Sequence, residues 1–180
     1  MAKRVFQGCI VALVTPFRDG KVDEPAMKSL VEFQIKSGTD AISPSGTTGE
    51  SPTLDHDEHK RVIDVVIAAT NKRVPVIAGT GSNSTAEAIS LTKHAQQAGA
   101  DAALIVLPYY NKPTQKGLLE HCRAIADAVE LPLIMYNIPG RTGVNMLPET
   151  VAQLADHPNI VGMKEATGNL EQMTQDIFLC

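Results

Sequence analysis

Short apolar runs alternate with segments of helical periodicity along the whole chain. The apolar runs begin near Cys9, Asp40, Val74, Asp101, Leu131 and Asn159. These starts lie about 30 residues apart, which is the length of one βα unit. Near-continuous apolarity is typical of strands buried on both faces in a parallel sheet covered by helices. The pattern therefore predicts six β-strands, each followed by an α-helix.

Helix-start signals support this alternation. Asp55 and Glu58 have the spacing of a reciprocal cap, and Ser84 and Glu87 repeat that spacing. Single residues of capping type precede other helical segments: Asp23, Thr114 and Asn169. We therefore expect helices to begin directly after these positions.

Two architectures use such a string of βα units, an open doubly wound sheet and a closed (β/α)8 barrel. The even unit length and the lack of a Pro/Gly-rich linker favour the barrel. A barrel needs eight units and typically about 250 residues, whereas this chain has 180 residues. The expected fold class is therefore α/β, with about six units of a (β/α)8 barrel, an incomplete barrel domain, in residues 1–180.

Composition and charge narrow the possible partners. Hydrophobic residues make up 43% of the chain and the net charge is −4, which argues against disorder and against nucleic acid as the main partner. No apolar run approaches the roughly 18 residues of a membrane span, and no signal-peptide pattern is present. The cysteines, Cys9, Cys122 and Cys180, lie far apart. Widely spaced cysteines suit a reducing compartment, so a cytoplasmic location is expected.

Lys164 is the only lysine that completes an apolar strand in this pattern. Desolvation lowers the pKa of a lysine and produces a nucleophilic amine, which forms a Schiff base with a ketone or an aldehyde. The alternative interpretations are an ion pair with Glu165 and a surface lysine whose ammonium reaches water.

Hydroxyl, phenol and guanidinium groups follow other predicted strands. Residues 46–50 (Gly-Thr-Thr-Gly-Glu) suit a carboxylate or a phosphate, although turn chemistry explains such a loop equally well. Tyr136 either shuttles a proton or is a core tyrosine with a satisfied hydroxyl. Arg141 either clamps a carboxylate or forms a surface ion pair. Tyr109 and Tyr110 are adjacent, so they point in different directions, one suited to the site and the other to an interface.

His56 and His59 stand three residues apart at the start of a predicted helix. Their acidic neighbours are typical complements of a helix dipole, so no metal site is predicted there. The other histidines are expected to be solvated: His94, His121 and His157.

Four motifs in order, each at a predicted strand end, resemble the dihydrodipicolinate synthase family of pyruvate-dependent class I aldolases and lyases. The motifs occupy residues 46–50, 108–111, 136–143 and 162–168. The resemblance runs from about Gly8 to about Gln172. It implies a (β/α)8 barrel and the condensation of pyruvate with L-aspartate 4-semialdehyde to give 4-hydroxy-tetrahydrodipicolinate, in lysine and diaminopimelate biosynthesis.

The resemblance also implies roles for single residues. Lys164 matches the lysine that forms the Schiff base, and Tyr136 matches the proton donor and acceptor. Thr47 and Tyr110 match the partners of Tyr136 in a hydroxyl relay, in which a neighbouring subunit lends the second tyrosine. The implied assembly is a homotetramer built as a dimer of dimers. No cofactor is expected, because the lysine imine itself serves as the electron sink.

Substrate positions follow from the same resemblance. Thr48 matches the residue that holds the pyruvate carboxylate, and Arg141 matches the residue that engages the carboxylate of the semialdehyde. Sialic acid lyases are similar but usually carry serine in the threonine loop and lack the Gly-Arg-Thr-Gly arrangement. A short acidic aldehyde needs a cationic clamp, whereas a polyhydroxylated sugar needs neutral hydrogen bonds, so the synthase is favoured.

Inhibition by lysine at a dimer interface is a further implication of the family. The matching positions are Ser51, His56, His59, Asn83, Glu87 and Tyr109. Glu87 would face the ammonium of the ligand and Tyr109 would cover it. Pro52 replaces a small residue that some members have.

Length is the main departure from the family pattern. The last two strands and the C-terminal helical region of the family are not in residues 1–180. A polypeptide of this length alone would leave barrel edges open, so poor folding and no turnover are expected of it. A non-catalytic amino-acid-binding or assembly module and an inactive piece with an intact motif set are the alternatives to an enzyme.

Overall fold

The computed structural model describes residues 6–180, which contain eight strands and seven α-helices. The strands are β1 (Ile10–Ala12), β2 (Phe17–Arg18), β3 (Lys21–Val22), β4 (Ala41–Ser43), β5 (Ile77–Gly79), β6 (Ala102–Val106), β7 (Leu133–Asn137) and β8 (Ile160–Glu165). The helices are α1 (Glu24–Lys36), α2 (His56–Thr70), α3 (Thr85–Ala98), α4 (Gln115–Asp127), α5 (Pro139–Thr142), α6 (Pro148–Ala155) and α7 (Leu170–Leu179). A 3₁₀ turn, Ser51–Thr53, precedes α2.

The six strands predicted from the apolar runs are confirmed, and they are parallel neighbours in chain order. β1 pairs with β4, and β5, β6, β7 and β8 pair in succession. A bridge between Ile42 and Val76 joins the two groups. A doubly wound sheet reverses its strand order at a switch point, and this order has no reversal. The topology is therefore the barrel type.

The helices cover one face of the sheet only. Side chains such as Ile105 and Met135 pack against helical residues such as Leu118. The other face carries a separate apolar cluster that contains strand and loop residues and no helical residue: Ala41, Ile77, Ala102, Leu104 and Tyr136, with Phe6, Val106, Ile134 and Ile138 at its margin. Alternation along a strand with period two produces these two sets. The helix-free face, called the inner face below, is the face that carries Tyr136.

The predicted helix caps are present, with one difference. The Asp55 carboxylate accepts from the backbone of Glu58 at 2.8 Å, and the Glu58 carboxylate accepts from the backbone N–H of Asp55 at 3.1 Å. Ser84 caps α3 by accepting from Glu87 N at 3.4 Å, but the Glu87 side chain does not return to Ser84. It contacts Ser82 and His56 instead. The single caps also form: Asp23, Thr114 and Asn169.

The sheet of the described chain has two edges. β1 is paired only with β4, and β8 is paired only with β7. Large apolar side chains are exposed near these edges, with Ile10 on β1 and Ile177 and Phe178 on α7. Exposed apolar surface beside an unpaired edge favours association. None of the helices in residues 6–180 combines the length and the apolarity needed to cross a bilayer.

The expectation of solvated histidines is wrong. His121 is buried, and its Nδ1 lies 2.8 Å from the Thr85 hydroxyl. Burial lowers the pKa of His121. His94 and His157 lie within hydrogen-bond distance of carboxylates on neighbouring helices. The close packing of successive helices explains the error, because it brings polar groups about 30 residues apart in sequence into contact.

Candidate active site

Lys164 and Tyr136 are partners across two adjacent strands on the inner face. The register of β7 and β8 places them side by side, and the Lys164 Nζ lies 4.1 Å from the centroid of the Tyr136 ring. Tyr136 is buried at 6% exposure. Both residues stand near the carboxyl ends of their strands, the end of a barrel-type sheet where functional groups collect.

Lys164 is more exposed to solvent than its position at the end of an apolar strand suggests. The residue is exposed, because β8 is an edge strand and no further strand covers its inner side. In residues 6–180 the exposure of Lys164 is thus that of the alternative interpretation, a lysine whose ammonium reaches water. Desolvation by the surrounding atoms nevertheless lowers the pKa of its ammonium. The face of the Tyr136 ring acts in the opposite direction, since it favours a cation.

Glu165 does not form the ion pair that was the alternative role for Lys164. Its carboxylate accepts from the Asn137 side chain at 2.8 Å and from the Thr167 backbone at 2.6 Å. Asn137 is fully buried and also accepts from the backbone of Met146 at 3.2 Å. These bonds join β7 to β8 directly beside the lysine–tyrosine pair, and they hold the register that brings the pair together.

A small cavity of about 20 Å³ brings the threonine loop to Tyr136. Its lining residues are Ser45, Gly46, Thr47, Ser51, Gly79, Gly81, Leu104, Val106 and Tyr136. A Cβ on Gly79 would lie 2.3 Å from the Ser45 carbonyl oxygen. Glycine at this position is therefore required for β5 to approach the loop. Thr47 and Tyr136, which the family resemblance places in one relay, line the same cavity.

The threonine loop is a tight turn with free donors. Gly46 O accepts from Gly49 N at 3.1 Å, and the Thr15 hydroxyl donates to Gly49 O at 2.7 Å. The backbone N–H groups of Thr47 and Thr48 have no acceptor among residues 6–180. Thr48 is exposed and does not line the cavity. The loop is therefore a tight turn that also presents free N–H groups able to bind an anion.

Tyr110 and Arg141 are not part of the cavity in this chain. Tyr110 is 89% exposed and has a φ of 73°, a left-handed conformation that is uncommon for a bulky residue. Arg141 lies exposed in α5 and forms no ion pair within the described chain. The backbone of Tyr110 donates to Thr142 O at 3.4 Å. The two loops are therefore adjacent, and both side chains face away from the protein core.

The two histidines of α2 have different partners. His56 Nε2 lies 3.2 Å from the Glu87 carboxylate, which also accepts from the Ser82 hydroxyl at 2.6 Å. His59 is buried, and its Nε2 donates to Gly79 O at 2.7 Å. Burial lowers the pKa of His59. No cluster of potential metal ligands occurs in residues 6–180.

The other residues expected to form the lysine pocket do not all contact one another. Asn83 O accepts from the Asn111 side chain at 3.1 Å. Ser51 lines the small cavity, whereas Tyr109 is half-buried in the loop after β6. Within the described residues, hydrogen bonds and ion pairs join only His56 and Glu87 of this set directly.

A larger groove of about 550 Å³ lies on the helical side of β8, away from Lys164. It is lined mainly by methionines and other apolar residues of β8, α6 and α7, together with Asp176. Both carboxylate oxygens of Asp176 are buried without a partner among residues 6–180. Burial, with a smaller contribution from Glu165, raises the pKa of this carboxyl. The sequence pattern did not reveal Asp176, because a single acid on an amphipathic helix resembles a solvated one.

The fold and the site define an α/β protein of the barrel type, with a lysine at a strand end against a buried tyrosine. The chain belongs to the dihydrodipicolinate synthetase family, whose model matches residues 5–180. The 4-hydroxy-tetrahydrodipicolinate synthase of Geotalea uraniireducens strain Rf4 is 66% identical over 176 residues, which cover 98% of this chain and 61% of that protein. The chain thus spans about three fifths of the length of the curated relatives it matches.

Solved structures agree with this membership. The chloride-inhibited dihydrodipicolinate synthase from Acinetobacter baumannii, complexed with pyruvate, is 56% identical with a TM-score of 0.94, over 97% of this chain and 61% of that one. The dihydrodipicolinate synthase from Cyanidioschyzon merolae with lysine bound is 48% identical with a TM-score of 0.94, over 98% of this chain and 61% of that one. The resemblance and the fold class predicted from the sequence are confirmed.

Proposed function

We propose that this chain supplies the Schiff-base centre of a 4-hydroxy-tetrahydrodipicolinate synthase, which condenses pyruvate with L-aspartate 4-semialdehyde. The observation that carries the proposal is the Lys164 amine 4.1 Å above the Tyr136 ring. The amine is desolvated, which lowers its pKa and raises the fraction that is nucleophilic near neutral pH. An ordinary surface lysine has neither feature.

The proposed reaction begins when Nζ of Lys164 adds to the carbonyl carbon of pyruvate. Tyr136 gives a proton to the carbinolamine oxygen, which leaves as water, and the imine forms. Loss of a methyl proton gives an enamine, whose carbon bonds to the aldehyde carbon of the semialdehyde. The amino group of that product then attacks the imine carbon, which closes the ring and releases Lys164. Thr47 and Tyr110 relay protons to and from Tyr136.

Carboxylate recognition is assigned to two places. The free backbone N–H groups of Thr47 and Thr48 suit the pyruvate carboxylate. The Arg141 guanidinium, which has no acidic partner in the described chain, suits the carboxylate of the semialdehyde through two parallel hydrogen bonds. The residues of the chain meet the needs of this chemistry without a cofactor.

Tyr110 is the residue that links the proposed active site to the association of subunits. Its 89% exposure and left-handed backbone suit a side chain that inserts into the site of a neighbouring subunit. The proposed assembly is a homotetramer formed by two dimers, in the cytoplasm. Residues 1–180 are proposed to be the part of the barrel domain that lacks the last strands and the C-terminal helical region.

Joining this chain to the C-terminal part of the Geotalea uraniireducens relative that it does not span is expected to produce turnover of both substrates. The 180-residue chain alone is expected to show none, because the missing strands complete the pyruvate pocket. The measurement is product formation from pyruvate and semialdehyde, with folding of both proteins followed by circular dichroism. A folded chimera without turnover and without a pyruvate adduct would contradict the enzyme and favour a binding module.

Feedback inhibition by lysine is a second candidate function. The Glu87 carboxylate lies between His56 and Ser82, beside α2, and is only partly exposed. Such a fixed carboxylate suits the ammonium of an amino acid. The lysine complex of the Cyanidioschyzon merolae synthase supports this candidate. The proposed pocket also includes Ser51, His59, Asn83 and Tyr109.

Calorimetric titration of the assembled protein with L-lysine is expected to show binding that Glu87→Gln weakens roughly tenfold or more, because a hydrogen bond to a charged group is lost. Glu120→Gln, which changes an exposed carboxylate on α4, is the matched control and is expected to leave the affinity unchanged. The absence of heat from the native assembly, or equal affinities of the two variants, would remove the regulatory function.

A further inference from the structure

The hydroxyl groups of four residues that line the small cavity beside Tyr136 have no hydrogen-bond partner among residues 6–180. They belong to Ser45, Thr47, Ser51 and Tyr136. None of these hydroxyls has a hydrogen-bond partner among residues 6–180, and the Ser45 Oγ is also fully shielded from bulk solvent. A buried hydroxyl without a partner is destabilising, and native proteins rarely retain one. The shared location of the four groups indicates a common ligand.

The size of the cavity limits what that ligand is. A volume of about 20 Å³ exceeds the roughly 10–15 Å³ that one water molecule needs. It is too small for a three-carbon acid such as pyruvate. A buried water also requires two to four polar partners, and four of the residues that line the cavity carry a hydroxyl that can serve as one. The ligand class is therefore a single water molecule.

The backbone supports a specific role for Ser45. Its φ of 53° places it in the left-handed region, where non-glycine residues are strained. The carbonyl of the same residue lies against Gly79, where a Cβ would be only 2.3 Å away. Ser45 is thus held rigidly between the threonine loop and β5. It is 2% exposed.

We propose that this cavity is a binding site for one water molecule, which Ser45 holds and which bridges to the hydroxyls of Thr47 and Tyr136. Ser45 is then a positioning residue, which acts on Tyr136 through the water. The inference deepens the proposed function, on which its catalytic part rests. The bound water keeps the phenol oriented for proton donation to the carbinolamine, and pyruvate binds above it, nearer Lys164.

Ser43 provides a matched control. Its hydroxyl is likewise buried without a partner among the described residues, but Ser43 does not line the cavity. Ser45→Ala is expected to lower the unfolding temperature by about 2–4 °C, because it removes a satisfied hydrogen bond. Ser43→Ala is expected to leave the temperature unchanged or to raise it. If Ser45→Ala raises it as well, the Ser45 hydroxyl is unsatisfied and the water site is overturned.

A crystal structure of the protein tests the site directly. A density peak within hydrogen-bond distance of Ser45 Oγ and the Tyr136 hydroxyl is expected, and its loss is expected in Ser45→Ala. A well-defined map without that peak would overturn the proposal.

The positioning role of Ser45 is tested separately, by trapping pyruvate with borohydride. In Ser45→Ala the initial rate of adduct formation is expected to fall roughly threefold to tenfold, which is the effect of one hydrogen bond, while the final extent is unchanged. An unchanged rate would overturn the positioning role. If the protein with a completed barrel and an unaltered Ser45 forms no adduct, the proposed function fails, and the density and unfolding results still decide the water site.

Discussion

Replacing Lys164 by arginine is expected to abolish the covalent adduct that borohydride forms between pyruvate and this protein. Arginine keeps the positive charge over the Tyr136 ring, but its guanidinium stays protonated and is no nucleophile. The protein with a completed barrel and an unaltered Lys164 is expected to gain one reduced pyruvate per chain, located at Lys164. Intact mass followed by peptide mapping measures both the extent and the position of the adduct.

Lys93→Arg is the control for this substitution, since Lys93 is an exposed lysine on α3, remote from the inner face. It is expected to form as much adduct as the native protein. Adduct on a different lysine, or an undiminished adduct in Lys164→Arg, would contradict the assignment.

The pH dependence of the trapping rate follows from the pKa of Lys164. Only the neutral amine reacts, so the rate rises with pH through the pKa of the folded protein. Desolvation lowers that pKa, so the midpoint is expected below that of a free lysine side chain, for which N-acetyl-lysine measured in parallel is the reference. A midpoint at or above the reference would show that the Tyr136 ring outweighs desolvation.

Tyr136→Phe is expected to reduce turnover by about 10²–10⁴-fold in the protein with a completed barrel, which is the usual contribution of a positioned acid–base group. The variant keeps the ring beneath Lys164 and removes only the hydroxyl. Among residues 6–180 that hydroxyl has no protein partner, and its proposed partner is the bridging water at the small cavity, so the unfolding temperature is expected to fall by no more than about 2–4 °C, as in Ser45→Ala.

Steady-state kinetics and thermal unfolding together test this role. Lost turnover with a fall of no more than about 2–4 °C in the unfolding temperature identifies Tyr136 as the proton donor. Turnover within threefold of the native value would assign proton transfer to another group, and a large fall in unfolding temperature would make Tyr136 a structural residue.

The local signals in the sequence were sufficient for the strands and caps, because these depend on residues close in the chain. The capping box of Asp55 and Glu58 and the strand that ends at Lys164 are examples. One local signal was missed, the Asp19-Gly20 turn of the β2–β3 hairpin, in which both residues have positive φ. An Asp-Gly pair between two short strands is a recognised hairpin signal, but strands of two residues leave no apolar pattern.

Local sequence patterns could not predict the contacts between residues that are far apart in the chain. The Asn137–Glu165 bond and the burial of His121 depend on elements about 30 residues apart in sequence, and on the register between them. A register shift of one residue would move every side chain of a strand to the other face. The unpartnered carboxylate of Asp176 became visible only through the packing of α7 on β8.

The sequence by itself determined the order of βα units, the family and the strand end at which Lys164 stands, because periodicity and motif spacing are properties of the chain. Only the tertiary structure decided that Tyr136 lies beneath Lys164, that Glu165 faces the other way, and that Ser45 shares a cavity with Thr47. Those relations depend on strand register and on edge position, which arise when separate segments pack against one another.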